Sequence, residues 1–306
     1  MIFISIKIMS FCKDVKNELA GIKVSECCKL PLAYGFMLFG RSFSVKRISM
    51  QTNNRKTAEY YSQLLYDTFD AKAQITEGGS VRPTYKAEVV SEADRLKILA
   101  AFDFGIAENS IDSEIIDREC CFQSFVRGAF LACGNINDPE KEYRAEFMIR
   151  NGDTAGELLE LLSNHGITLR KTQRGNTTVL YTKESGLIED LLTLMGVPHR
   201  TLDFIDTKIM KSVKNNINRA NNCDSANISK TVEASIKQRA AIEYLRKTDR
   251  LDSLPHELLK AALLRESNPE ATLKELCAIS DEHITVSGLN HRLNKIIEIY
   301  NGLKNR

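Results

Sequence analysis

Two stretches of the chain combine a doubled cysteine with a glycine inside an apolar run. They are ECCKLPLAYGFMLFGRSF at 26–43 and ECCFQSFVRGAFLACGNIND at 119–138. Thiols of this kind could act as nucleophiles, redox couples or ligands for soft metals. The eight cysteines include no C-x-x-C pair, and adjacent cysteines lack the spacing of a zinc knuckle. The chain is too long and too cysteine-poor for a disulfide scaffold. The thiols therefore read as reduced cysteines of a cytoplasmic protein, each Cys-Cys pair a small hydrophobe facing the core of its own segment. A second kind of chemistry lies near the C-terminus, in ITVSGLNHRLNKI at 284–296. Asn290 could pair with the N6/N7 edge of adenine, Val286, Ser287 and His291 are placed beside it, and Arg292 and Lys295 suit phosphates.

The elements that must hold these residues are legible in the patterning. Glu26-Cys27-Cys28 and Glu119-Cys120-Cys121 lie 93 residues apart, as do Gly35 and Gly128, and Leu38 and Leu131. A constant offset without a gap marks an internal duplication. The order of elements after each copy also repeats. In the first copy, 45–53 predicts a strand, 55–70 a helix with Ala58, Tyr61, Leu65 and Phe69 near one face, 73–79 and 84–90 a strand pair around a Gly-Gly turn, and 91–102 a helix. In the second, 143–151 predicts a strand, 154–165 a helix, 169–173 and 177–183 a hairpin around Arg174-Gly175-Asn176, and 185–195 a helix. Each half reads as α-β-β-α-β-β-α, an α+β fold.

This arrangement resembles the LAGLIDADG homing-endonuclease fold in its two-repeat form. The resemblance implies two motif helices packed at a pseudo-two-fold axis, with Gly35 and Gly128, beside Ala33, Ala129 and Ala132, permitting the close approach. It also implies acidic residues at the C-terminal ends of those helices, where they would hold divalent metal for phosphodiester hydrolysis. Here the acidic positions fall on Gly40 and Cys133, neither of which can ligate Mg²⁺ as a carboxylate does. The expectation is a domain without catalytic residues, metal or cofactor.

Formal net charge is +2, unevenly distributed. Residues 1–206 carry 25 Lys+Arg against 28 Asp+Glu, whereas 207–306 carry 17 against 12. The excess concentrates in 207–247, with nine basic residues to three acidic, which points to a polyanion partner for the C-terminal part. The net-acidic N-terminal part suggests loss of a strongly basic DNA saddle. Residues 215–227 hold six Asn. This joint reads either as a flexible polar tether or as an ordered basic connector. In the second case Asn218, Arg219, Asn222, Asn227 and Lys230 are its candidate DNA contacts. A long helix follows, with Val232, Ile236, Ala240 and Tyr244 on an i+4 row as its apolar face.

Three helices close the chain: 254–267 with Pro255 in its first turn, 271–280 with a Thr272/Glu275 capping box, and 285–303 capped by Thr285. Leu289, Leu293, Ile296 and Tyr300 form the buried stripe of the last. A short helix, the polar turn DEHI and a helix with a small polar N-terminus form a helix-turn-helix layout. Its candidate DNA contacts are Lys274, Thr285, Val286, Ser287, Asn290, His291, Arg292 and Lys295.

Together the degenerate two-repeat domain and a helix-turn-helix resembling sigma-factor region 4 look like the WhiA family of bacterial regulators. The stretches carrying the likeness are MSFCKDVKNELA, FVRGAFLACGNINDP, NINRANNCDSANISKTVEAS, ATLKELCAIS and SGLNHRLNKI. The family implies a double-stranded-DNA-binding transcription regulator of sporulation septation, cell division or chromosome segregation, cytoplasmic and nucleoid-associated. The expected domains are 10–110 and 111–205 for the two repeats, 206–230 for a basic Asn-rich linker, and 231–306 for the helix-turn-helix domain with its motif at about 272–304. The apolar leader 1–9 reads as an added edge strand or as a translated extension before a natural start at Met9, and is too short to span a membrane. Two alternatives stand beside the regulator: a residual DNA endonuclease, and an adaptor whose N-terminal domain binds another transcription or division protein.

Overall fold

The internal repeat of the sequence becomes two copies of one topology in the computed structural model, which describes residues 10–102 and 110–304. The leader 1–9 lies outside the described residues. Helix α1 (Phe11–Leu19) precedes the first copy, which runs α2 (Glu26–Leu38), β1 (Ser42–Ser44), β2 (Arg47–Thr52), α3 (Arg55–Phe69), β3 (Gln74–Gly78), β4 (Thr84–Glu88) and α4 (Glu92–Leu99). The second runs α5 (Glu119–Cys133), β5 (Gly134–Ile136), β6 (Ala145–Ile149), α6 (Gly152–Asn164), β7 (Arg170–Arg174), β8 (Thr177–Thr182) and α7 (Ser185–Met195). The sheets have the same antiparallel order, β1-β2-β4-β3 and β5-β6-β8-β7. The α+β reading of each half therefore holds element by element.

Local chemistry sets many of the boundaries. Asn54, Ser91 and Asn151 each cap the helix that follows them through a side-chain oxygen. Gly79, Gly175 and Gly196 have positive φ (92°, 55° and 70°) where the chain turns out of β3, between β7 and β8, and out of α7. Helix α3 buries Thr57, Ala58, Tyr61, Leu64 and Leu65, an i, i+3/i+4, i+7 stripe against its sheet.

The centre of this unit is the contact between α2 and α5. A Cβ placed on Gly35 would lie 2.2 Å from the Phe125 carbonyl oxygen, and one on Gly128 would lie 2.2 Å from that of Leu32. Backbone therefore packs on backbone, with the fully buried Ala129 beside Gly35. The aromatic core surrounds this seam, Tyr34 packing on Phe125 (ring centroids 5.6 Å apart) and Phe36 on Tyr61 (4.9 Å).

Helix α8 spans Pro198–Lys247, and the division of the chain into two compact units falls within it, between Ser212 and Val213. In the first unit its start is held by the Glu18 carboxylate, which accepts from the backbone N–H groups of His199 and Arg200 at 3.0 Å each. Buried Phe204 packs there on Phe11 and Tyr143. The stretch 206–230, expected as a linker, is helical throughout. The apolar row of the following helix is also corrected: Val232 and Ile236 are exposed, Ala240 is too, and the buried row is Ser235, Gln238, Ala241, Ile242 and Leu245. Ser235 is inward because its hydroxyl donates to the Pro269 carbonyl at 2.6 Å.

The second unit adds α9 (His256–Ser267), α10 (Leu273–Ile279) and α11 (Val286–Lys304). Ala241, Ile242, Leu245, Leu251, Ala261, Ala262, Leu276, Leu289, Leu293 and Ile296 make its own core. Pro255 stands at the N-cap of α9, just before the first turn in which it was expected.

Candidate nucleic-acid interface

The turn between α10 and α11 is fixed at both ends. Thr272 and Glu275 form the expected capping box: the Thr272 hydroxyl accepts from the Glu275 N–H at 3.3 Å, and Glu275 Oε2 accepts from the Thr272 N–H at 2.7 Å. Thr285 Oγ1 accepts from the Gly288 N–H at 3.1 Å and so caps α11. Buried Arg265 ties the end of α9 to the approach to α10, donating to the Ala271 carbonyl at 2.6 Å. Leu276 and Leu289 are buried beneath the turn.

Between these anchors Glu282 is a hub. It accepts from Lys260 of α9 and Arg292 of α11, both at 2.8 Å, and Arg292 also lies 3.4 Å from Glu257. The two cations hold the Glu282 carboxyl down at about 2. A carboxyl depressed in the fold contributes stability above its unfolded pKa, and that contribution is lost as pH falls through the folded one. Resistance of the C-terminal unit to thermal unfolding should therefore fall as pH drops from about 4.5 to about 2. Glu282→Gln should flatten that segment of the profile. An unchanged profile in the variant would mean that the hub does not hold the turn.

The hub changes the reading of Arg292. Its side chain is only 22% exposed and held by two glutamates, so it braces the turn instead of standing free for phosphate. The other residues expected at the motif, Lys274, Thr285, Val286, Ser287, Asn290, His291 and Lys295, are all exposed. Lys295 makes only a surface pair with Glu298, at 2.9 Å. Asn290 and His291 share a face of α11 with Ser287 and with exposed Asn294, one turn further on. Sequence reasoning missed Asn294, although its i+4 spacing from Asn290 was the signal.

On α8, Asn218, Arg219, Asn222, Asn227 and Lys230 are likewise all exposed. At about 100° per residue the first three and Lys230 fall within an arc of roughly 120°, whereas Asn227 turns about 60° beyond it. Asn227 reaches instead back along the helix, donating to Cys223 Sγ at 3.7 Å.

The C-terminal ends of α2 and α5 border a groove of about 910 Å³ in the first unit. Gly40 and Cys133 line it, and among the described residues no carboxylate does. Cys133 is buried, which pushes its thiol up to about 12, so it is a neutral side chain there. Lys13, Lys16, Arg41, Arg82 and Arg150 also line the groove, and none forms an ion pair among the described residues. The cations of the neighbouring sheets differ: Arg47 pairs with Glu88 at 2.6 Å and Arg144 with Glu146 at 2.7 Å. Net acidity of residues 1–206 thus hides a segregated basic groove, which averaging over the segment could not reveal.

The cysteine pairs do not face separate cores. Cys28 and Cys121 are buried and Cys27 and Cys120 exposed, and the four meet across the α2–α5 seam. Among the described residues no helix is long and apolar enough to cross a membrane.

Comparison with known proteins places this arrangement. Residues 122–214 match the family model described as "WhiA LAGLIDADG-like domain", and residues 217–300 that described as "WhiA C-terminal HTH domain". A "Probable cell division protein WhiA" of Lachnoclostridium phytofermentans is 34% identical over 315 residues, covering 97% of this chain and all of the relative. One of the same name from Bacillus mycoides is 33% identical over 309 residues, covering 97% and 98%. Among solved structures, full-length DUF199/WhiA from Thermatoga maritima matches with a TM-score of 0.59 at 23% identity, over 96% of this chain and 98% of that one.

Proposed function

The chain belongs to the WhiA family, and from that premise we propose that it is a sequence-specific, double-stranded-DNA-binding transcription regulator without nuclease activity. The observation that carries the reading is the start of α11. It presents Thr285, Val286, Ser287, Asn290 and His291 to solvent while its opposite face is locked into the core through Leu289, Leu293 and Ile296. A small polar helix end held rigidly in this way can enter a major groove and address base edges. Lys274 and Lys295 fix register on phosphates, and Asn218, Arg219, Asn222 and Lys230 extend the polar contact along α8. In this reading the repeats occupy 10–205, the joint 206–230 is a helical connector, and the reading head lies in 231–306.

The absence of nuclease activity is supported by Gly40 and Cys133, which stand where a two-metal mechanism needs carboxylates. The groove's five cations retain affinity for a polyanion, so the first unit contributes phosphate contacts of its own. The name shared by the relatives points to cell division. The regulation proposed here is of division, chromosome segregation or sporulation septation, by a cytoplasmic, nucleoid-associated protein whose first unit can also hold a transcription or division partner.

Selection of bound duplexes from a random pool tests the reading. One sequence family should be enriched, and its affinity should fall steeply with salt, by about 0.9 log units per log unit of salt for each phosphate neutralised. Equal affinity for every duplex would overturn specific regulation. Supercoiled plasmid incubated with the protein and Mg²⁺ should remain intact, and a nicked product would overturn the absence of cleavage.

A further inference from the structure

The four cysteines at the head of the helix seam are not among the proposed DNA contacts, and their geometry calls for a ligand. Cys27 and Cys28 lie in the first turn of α2, and Cys120 and Cys121 in the first turn of α5. All four Sγ atoms lie within 4.8 Å of one another, and those of Cys27 and Cys28 are 3.7 Å apart. The arrangement is reciprocal across the pseudo-two-fold: Cys28 Sγ donates to the Cys120 carbonyl and Cys121 Sγ to the Cys27 carbonyl, each at 3.4 Å. Pro31 contributes to this, because it has no N–H to return to the carbonyl four residues earlier, which is that of Cys27. The residue at the same place in the second repeat is Ser124. Its hydroxyl is buried, faces Cys28 and has no partner at hydrogen-bond distance among the described residues.

We propose that Cys27, Cys28, Cys120 and Cys121 form a tetrathiolate site for a single zinc ion that ties the N-terminal ends of the two motif helices together. Four sulfurs about 2.3 Å from one tetrahedral ion stand about 3.8 Å apart, so the cluster closes on the metal with side-chain shifts below about 1 Å. An iron–sulfur core of several irons needs its sulfurs spread further, around the inorganic atoms. All four ligands are soft, as this coordination requires. Two helix N-termini converge on the site, and neither N-cap side chain, Ser25 or Arg118, bonds the first turn of its helix. Their partial positive charges favour thiolates over thiols. A bound cation would hold Cys28 as the thiolate, an acceptor for the buried Ser124 hydroxyl. The spacing rule that discounts adjacent cysteines assumes a site built from one loop; here the fold supplies two dipeptides 93 residues apart. The site is remote from the lost acidic positions: Cys28 lies about 15 Å along α2 from Leu38 at 1.5 Å per residue, and Gly40 lies beyond that helix end.

The test is metal titration of the full-length chain, reduced and stripped with a chelator. Cobalt(II) should bind at about one equivalent and give the visible ligand-field and ultraviolet charge-transfer bands of a tetrahedral tetrathiolate. Zinc should abolish them stoichiometrically. Cys27→Ser with Cys120→Ser, which alters only the exposed pair, should lose the bands while circular dichroism stays native. Cys223→Ser with Cys277→Ser should keep them. Ser124→Ala should weaken zinc about tenfold, the lower range for loss of a group that orients a metal ligand. The wild-type titration stands whether or not the variants fold. Free thiols with no cobalt spectrum, iron–sulfur absorption in the isolated protein, a Cys27–Cys120 disulfide persisting under reductant, or bands surviving in the Cys27/Cys120 variant would each overturn the proposal.

Discussion

Gly128→Ala should destabilise the first unit by about 3 kcal/mol, whereas Gly186→Ala should stabilise it by about 0.5–1 kcal/mol. Both glycines lie in helices, so propensity alone favours alanine at both. They differ in what a methyl group meets. At Gly186 nothing lies within 4 Å, and the added carbon only removes freedom from the unfolded chain. At Gly128 it falls 2.2 Å from the Leu32 carbonyl oxygen and 2.7 Å from the Phe36 nitrogen. Both obstacles are backbone and cannot rotate aside. The helices must separate, and the buried contacts of Leu32, Phe36, Phe125 and Ala129 loosen together. About 3 kcal/mol is the upper range for overpacking and a large part of the roughly 5–15 kcal/mol available to a domain. Urea unfolding of the two variants beside wild type measures both signs. A Gly128→Ala midpoint at or above wild type would show that the seam can open without loss, and the backbone contact would then not be what holds the repeats.

That seam was legible because it is written in composition at a fixed offset. A backbone-to-backbone crossing admits only glycine at its closest points. The two repeats, their order of elements and the capping box of α10 were legible for similar reasons: each depends on residues close in sequence whose chemistry permits few alternatives. Helix α8 was not. Six Asn in 215–227 have low helix propensity and local side-chain bonding that competes with the helix. What overrides them lies elsewhere in the chain, in Glu18 capping the start and in Ala241, Ile242 and Leu245 burying the end. The inward face failed for a related reason. Ser235 and Gln238 are buried and Val232 and Ile236 are not, so hydrophobicity pointed to the wrong side. Arg292 read as a phosphate contact because its glutamate partners lie 10 and 35 positions away, across a turn and on another helix. The cysteine cluster was missed for the same reason, since it exists only once two first turns are brought together.

Replacing Asn290 is the sharpest probe of the reading head. Asn290→Ala should weaken the selected duplex by about 1–3 kcal/mol, roughly 5- to 150-fold, and leave unrelated duplexes nearly unchanged. The reasoning rests on where the side chain is. Asn290 is exposed near the start of α11, and its side chain makes no hydrogen bond within the chain among the described residues. Its removal should therefore alter stability by no more than about 0.5 kcal/mol, as for other surface changes. A loss of binding then cannot come from unfolding. Two other substitutions bracket it. Lys274→Ala and Lys295→Ala should weaken every duplex alike and each reduce the salt slope by about one. Lys295 is free to exchange Glu298 for phosphate because an exposed pair contributes only about 0–1 kcal/mol. Arg292→Ala should behave differently again: it releases Glu282 and Glu257, so its first effect is a lower melting temperature of the C-terminal unit. Binding isotherms for one selected and one scrambled duplex at several salt concentrations separate these outcomes. If Asn290→Ala weakened both duplexes equally, the residue would be a backbone contact, and the reading of bases would have to move along α11 to His291 and Asn294.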